Sequence, residues 1–241
     1  MTRRIARLLV LSAGLSTPSS TRMLADQLSS SAREVLEASG REVEVRTVEL
    51  RELAHDILDT MLSRFPVGRM VETVRLLSEA DAVIAVTPIF NTTASGLFKT
   101  FLDAADMPLW KDKPVLLGAT AGTARHSLAL EYAIRPMFVH LKADIVPTAV
   151  FAASSDFGAA SASEGAEALG ARSRRAGTEL ATMLQARTGP AAATPPPAAD
   201  DERPECAKEA EPDRVGPAIS RSTDLDAEFT DFVPMGQLLR R

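Results

Sequence analysis

Apolar and polar positions change period repeatedly along the chain, and the changes divide its first three quarters into elements. Residues 4–11 form a nearly unbroken apolar run, short enough for a buried strand. Residues 21–39 place Leu24, Leu28, Val35 and Leu36 on one side of a helix, and Gly40 supplies a stop. Residues 42–48 alternate as a half-exposed strand does. The pattern then predicts a helix over 67–80, a buried strand over 82–87 (AVIAVT) and a helix over 95–105. A buried strand over 114–119 (PVLLGA), a long helix over 124–141, a strand over 145–152 and a last helix over 164–186 follow. Strand and helix alternating in this way predict an α/β fold, a five-stranded parallel sheet covered by helices on both faces. Short, right-handed crossovers leave few strand orders open, and 2-1-3-4-5 suits five strands.

The pattern ends at Arg187, which sets residues 1–187 apart as one domain. Residues 188–222 hold seven of the fifteen prolines and no aromatic residue. Such a stretch cannot bury enough surface to offset its ordering entropy, so a disordered Pro/Ala-rich linker is predicted. Residues 223–241 bring back Phe229, Phe232, Val233, Met235, Leu238 and Leu239 and read as a short apolar docking segment.

Composition narrows the function classes. Of 241 residues, 45% are hydrophobic and 24% charged, which supports an ordinary buried core. A net charge of −5 argues against a nucleic-acid partner, because backbone phosphates call for a basic face. The single cysteine, Cys206, excludes an intrachain disulfide framework, and His55, His126 and His140 lack metal-ligand spacing, so no metal is assigned. No stretch approaches the roughly 20 apolar residues of a membrane span, and a cytoplasmic protein is expected.

Candidate chemistry lies in three loops. In an open parallel sheet ligands sit beyond the carboxyl ends of the strands, near the point where strand order reverses. The loop after the first strand, SAGLSTPSST, offers Ser16, Ser19, Ser20 and Thr21 at the mouth of a helix. It has neither a triphosphate loop's lysine nor a G-x-G-x-x-G turn. Hydroxyls beside free helix N–H groups suit one phosphate dianion, although a plain helix cap would need only one of them. The loop after the third strand, TPIFNTTASGLFKTFLD, carries Pro88, expected to mark the end of the sheet, and small polar groups at Asn91, Thr92 and Thr93. The loop after the fourth, GATAGTARH, has two glycines that allow close approach to a flat ligand.

Together these motifs resemble the NAD(P)H-dependent FMN reductases of the flavodoxin-like superfamily, especially those supplying reduced flavin to two-component monooxygenases. The resemblance spans about residues 5–186. It implies a flavodoxin-like three-layer sandwich, with the FMN phosphate at Ser16, Ser19, Ser20 and Thr21. It also implies the isoalloxazine ring against Pro88, Ile89, Phe90 and Asn91, and against Thr120, Ala121 and Gly122. Leu15 stands where many relatives have a serine, and Phe90 replaces a commoner tyrosine. A homodimer or tetramer and a flavin-dependent monooxygenase partner are further implications.

Hydride passes between the cofactors themselves, from NADH or NADPH to FMN, so no catalytic acid or base is expected of the protein. Arg125, His126 and Tyr132 read as helix-terminus, packing or subunit-contact residues, and Lys99–Asp103 as a surface pair. Few aromatics are available to stack on a flavin, which favours FMN as an exchangeable substrate. Three alternatives remain open from the residues: a quinone or azo reductase that retains FMN, a flavodoxin-like electron carrier, and a module that binds a partner through its C-terminal segment.

Overall fold

The computed structural model describes residues 5–157 and 168–187. Strand β1 (Ala6–Ser12) leads into helix α1 (Ser20–Ala38) and strand β2 (Val43–Glu49). Helices α2 (Ala54–Ser63) and α3 (Arg69–Glu79) precede strand β3 (Ala82–Phe90), which turns back into the two-residue strand β4 (Thr93–Ala94). Helix α4 (Gly96–Ala104), strand β5 (Pro114–Ala121) and helix α5 (Arg135–His140) follow. Strands β6 (Asp144–Ile145) and β7 (Val150–Ala153) and helix α6 (Leu169–Arg187) complete the domain.

The sheet runs β2-β1-β3-β5-β6 in parallel, with β7 beside β5 further along and β4 antiparallel on β3. Because β6 and β7 are two pieces of one interrupted strand, this is the 2-1-3-4-5 flavodoxin-like order. Strands β1, β3 and β5 are buried along almost their whole length, which explains their apolar runs, whereas β2 at the margin is only partly buried, as its alternation predicts. Leu8, Val10, Ile84 and Leu116 meet Leu24, Leu28 and Leu36 of α1 and Leu180 and Leu184 of α6 on one face. Leu9, Leu11, Val83 and Leu117 meet Ile57, Met70, Leu77, Phe98 and Phe138 on the other. There Trp110 stands edge-on to Phe101 and Phe138, at centroid distances of 6.3 and 5.4 Å. No helix among the described residues is long and apolar enough to cross a membrane.

Three expectations need correction, and one helix had not been predicted. Strand β3 continues through Pro88 to Phe90 instead of stopping. The Val86 carbonyl accepts from Ala13 N–H on the β1 side, so two residues on the missing donor of Pro88 faces that side too, beyond the end of β1. There β4 closes the gap, with Ser95 N–H on the Pro88 carbonyl at 3.1 Å. The long helix over 124–141 is instead a 3₁₀ turn (Ala124–His126), a π-helical turn (Leu130–Ile134) and α5. Pro136, in the first turn of α5, cannot donate to the carbonyl four residues back, and Arg135 N–H reaches to Leu130 instead. The last strand breaks around Pro147, where Glu179 accepts from Thr148 N–H and Oγ1, both at 2.7 Å. Helix α2 escaped the pattern because Leu58 and Leu62 point outward while Thr60 points in. The expected linker over 188–222 and docking segment over 223–241 lie outside the described residues, as does the start of the helix over 164–186.

Candidate functional site

The carboxyl ends of β1, β3 and β5 meet where the strand order reverses, and a cleft of about 340 Å³ opens between their loops. Leu15, Ser16, Ser20 and Thr21 line it from the first loop and Pro88, Ile89 and Phe90 from the second. Thr120, Ala121 and Gly122 line it from the third, and Ser154, just after β7, closes a further side. Nine of the eleven residues singled out in the sequence therefore share one cavity. Ser19 and Asn91 are not part of its lining. The Ser19 hydroxyl accepts from Arg22 N–H at 3.2 Å and caps α1. Asn91 forms, with Thr92, the two-residue turn between β3 and β4, where φ is 50° and 70° respectively.

Each loop is fixed by a local cause. Gly14 lets the chain leave β1 tightly against the helix start, since a Cβ there would lie 2.0 Å from Ser19 Oγ. The first turn of α1 contains no acidic residue, so its positive dipole end and unpaired N–H groups at Ser20 and Thr21 are not offset. Thr87, buried under the second loop, donates to the Pro88 carbonyl at 3.0 Å and accepts from Ser95 N–H at 3.2 Å. Ser95 in turn caps α4 by accepting from Phe98 N–H at 3.3 Å. Pro88 and Thr120 are register partners in the β3–β5 ladder, which sets the second and third loops side by side. A hydroxyl pair, Thr21 Oγ1 and Thr120 Oγ1 at 2.8 Å, ties the first loop to the third.

Behind the first loop stands a charged cluster that the sequence did not reveal. Arg51, just past β2, donates to the Ser16 carbonyl at 2.7 Å and also to Thr17 Oγ1. Glu49 holds Arg51 and Arg22, each at 2.7 Å. Asp26 first, then Glu49, raises the Arg22 pKa above its ordinary value. Nothing in the run VELREL signals a role at a loop more than thirty residues earlier, because the pairing exists only once β2 lies beside β1. Ser154 was more accessible, since it directly follows a strand on the same sheet edge. Lys99 and Asp103 pair at 2.6 Å away from the cleft, and Arg125, His126 and Tyr132 do not line it.

No charged side chain lines the cleft among the described residues. It offers hydroxyls and helix N–H groups at one end and a largely apolar wall at the other. Gly122, with nothing within 4 Å of a Cβ built on it, leaves the wall open to a flat ring. A dianion at the helix end and a planar heterocycle along the wall fit these residues, so they suit a flavin mononucleotide.

Comparison with known proteins gives the same family. Residues 6–158 match the model of the NADPH-dependent FMN reductase family. The NADH-dependent FMN reductase SfnE of Pseudomonas putida is 34% identical over 147 residues, 61% of this chain and 76% of that protein. An FMN reductase (NADPH) of Pseudomonas aeruginosa is 28% identical over 151 residues, covering 63% and 78%. The X-ray structure of an oxidoreductase from Corynebacterium diphtheriae superposes with a TM-score of 0.70 at 41% identity, covering 75% of this chain and 97% of that one. By its strand order, its loops and this match over more than half its length, the chain belongs to the NADPH-dependent FMN reductase family.

Proposed function

We propose that the protein reduces FMN with NADH or NADPH and releases the reduced flavin to a flavin-dependent monooxygenase. The observation that carries this reading is the uncharged cleft, with a hydroxyl-rich helix N-terminus at one end and an open wall at the other. FMN, when bound, supplies the hydride acceptor, and the chain's task is to position and shield. Ser16, Ser20 and Thr21 hold the phosphate, each charge-assisted hydrogen bond contributing about 1.5–3 kcal/mol. Pro88, Ile89 and Phe90 on one side and Thr120, Ala121 and Gly122 on the other border the ring. Phe90 is the single aromatic residue in the lining and is 45% exposed, so stacking is weak and exchange of the flavin is favoured.

Association with further copies into a dimer or tetramer belongs to the same proposal. Leu128, Tyr132 and Val139 are 63%, 78% and 61% exposed along the stretch leading into and through α5, an apolar surface suited to a second copy. The cytoplasm, where reduced nicotinamide cofactors are produced, is the compartment proposed.

The test is NADH and NADPH oxidation by flavin-stripped protein, in air, with and without added FMN. Oxidation that rises with FMN and saturates supports an exchanging reductase. Oxidation that needs only a trace of FMN and accelerates with a quinone identifies a reductase that retains its flavin. Tight FMN binding with no oxidation of either dinucleotide overturns the reductase reading.

A further inference from the structure

The Arg22–Glu49–Arg51 cluster touches the first loop without lining the cleft. Glu49 divides its carboxylate between two guanidiniums, Oε1 to Arg22 and Oε2 to Arg51, each at 2.7 Å. Arg22 also pairs with Asp26 at 2.8 Å. Two cations therefore face two anions, and the cluster adds almost no net charge to the site. What it adds is position. Arg51 is held from behind by Glu49 and turns its other terminal nitrogen to the Ser16 carbonyl at 2.7 Å and to Thr17 Oγ1. A carbonyl oxygen drawn out to a guanidinium cannot present its negative pole to an incoming anion. Fixing residues 16 and 17 also fixes the approach to the α1 N-terminus two residues later.

We propose that Arg51, anchored by Glu49, is a positioning residue that sets the first loop for a phosphate monoester, making the site select FMN over riboflavin. This rests on the reading of that loop as the phosphate cradle. A structural brace would affect both flavins alike, whereas a device that shapes a phosphate cradle affects only the phosphorylated one.

The decisive variant is Glu49→Gln, because position and charge give opposite signs. Losing the carboxylate raises the local net charge by one, so a purely coulombic cluster would bind FMN more tightly. A positional cluster loses its anchor and binds FMN less tightly. KM for FMN and for riboflavin would be measured on the full chain at saturating reduced dinucleotide, beside Arg51→Met and Arg51→Lys. The expected result for Arg51→Met is a rise in FMN KM of about tenfold, the equivalent of one charge-assisted hydrogen bond, with riboflavin KM unchanged. Glu49→Gln should move FMN KM in the same direction by less. Arg51→Lys should restore part of the loss, since an ammonium can reach one acceptor but cannot reproduce the fork. An FMN KM that falls or stays constant in Glu49→Gln overturns the proposal, as does an equal rise for both flavins. If Arg51→Met does not fold, Glu49→Gln and Arg51→Lys decide between the same outcomes. A parent protein that takes FMN and riboflavin with equal KM would instead overturn the phosphate reading of the loop itself.

Discussion

At the scale of residues, the opening loop shows what a sequence can and cannot specify. A run of hydroxyls before an amphipathic helix marks the loop, but Ser19, Ser20 and Thr21 are all acceptable caps. Only the backbone chooses, with Ser19 extended at φ −122° and the helix beginning at Ser20. The cap hydroxyl is thereby occupied, and its neighbours face the cleft. Gly14→Ala tests the arrangement, because its Cβ would lie 2.0 Å from Ser19 Oγ and displace the cap. The expected cost is about 1 kcal/mol of stability together with weaker FMN binding, read by thermal denaturation and flavin fluorescence titration. Thr92→Gly should act in the opposite direction. A β-branched residue at φ 70° carries roughly 1–2 kcal/mol of strain, more than the added freedom of an unfolded glycine. A rise in melting temperature is therefore expected, and a fall would show that Thr92 is held for another reason.

At the scale of elements, buried strands were the most legible because an apolar run needs no partner to be recognised. Helix α2 was not, since its inward face holds Thr60 as well as Ile57 and its outward face holds Leu58 and Leu62. The stretch leading into α5 kept a helical period across Pro136, and periodicity does not register a missing N–H. Packing between helices was equally hidden. Gly177 of α6 meets α1 so closely that a Cβ would lie 2.8 Å from the backbone at Ser31 and Ala32. Helix propensity alone would make Gly177→Ala favourable by about 1 kcal/mol. A clash against backbone cannot be relieved by a rotamer change, and overpacking costs about 1–3 kcal/mol. The net outcome expected is a lower melting temperature, and Gly177→Val should fall further. A melting temperature raised by alanine would mean that the two helices separate without cost.

At the scale of the whole molecule, ligand binding and folding are linked. FMN at a hundred times its Kd should stabilise the folded chain by about 2.7 kcal/mol, a shift of roughly 5–10 °C for a domain of this size. Riboflavin at the same concentration should shift it less if the first loop holds the phosphate, and equal shifts would remove that loop from flavin recognition. The sheet's two margins have a consequence of another kind. Along β2 the outer edge carries Glu44 and Arg46, paired at 2.7 Å, and at the opposite edge the strand is broken around Pro147 between β6 and β7. A strand from another molecule seeking to extend the sheet meets charge at one margin and a gap at the other. Among the described residues, both margins therefore resist polymerisation by strand addition.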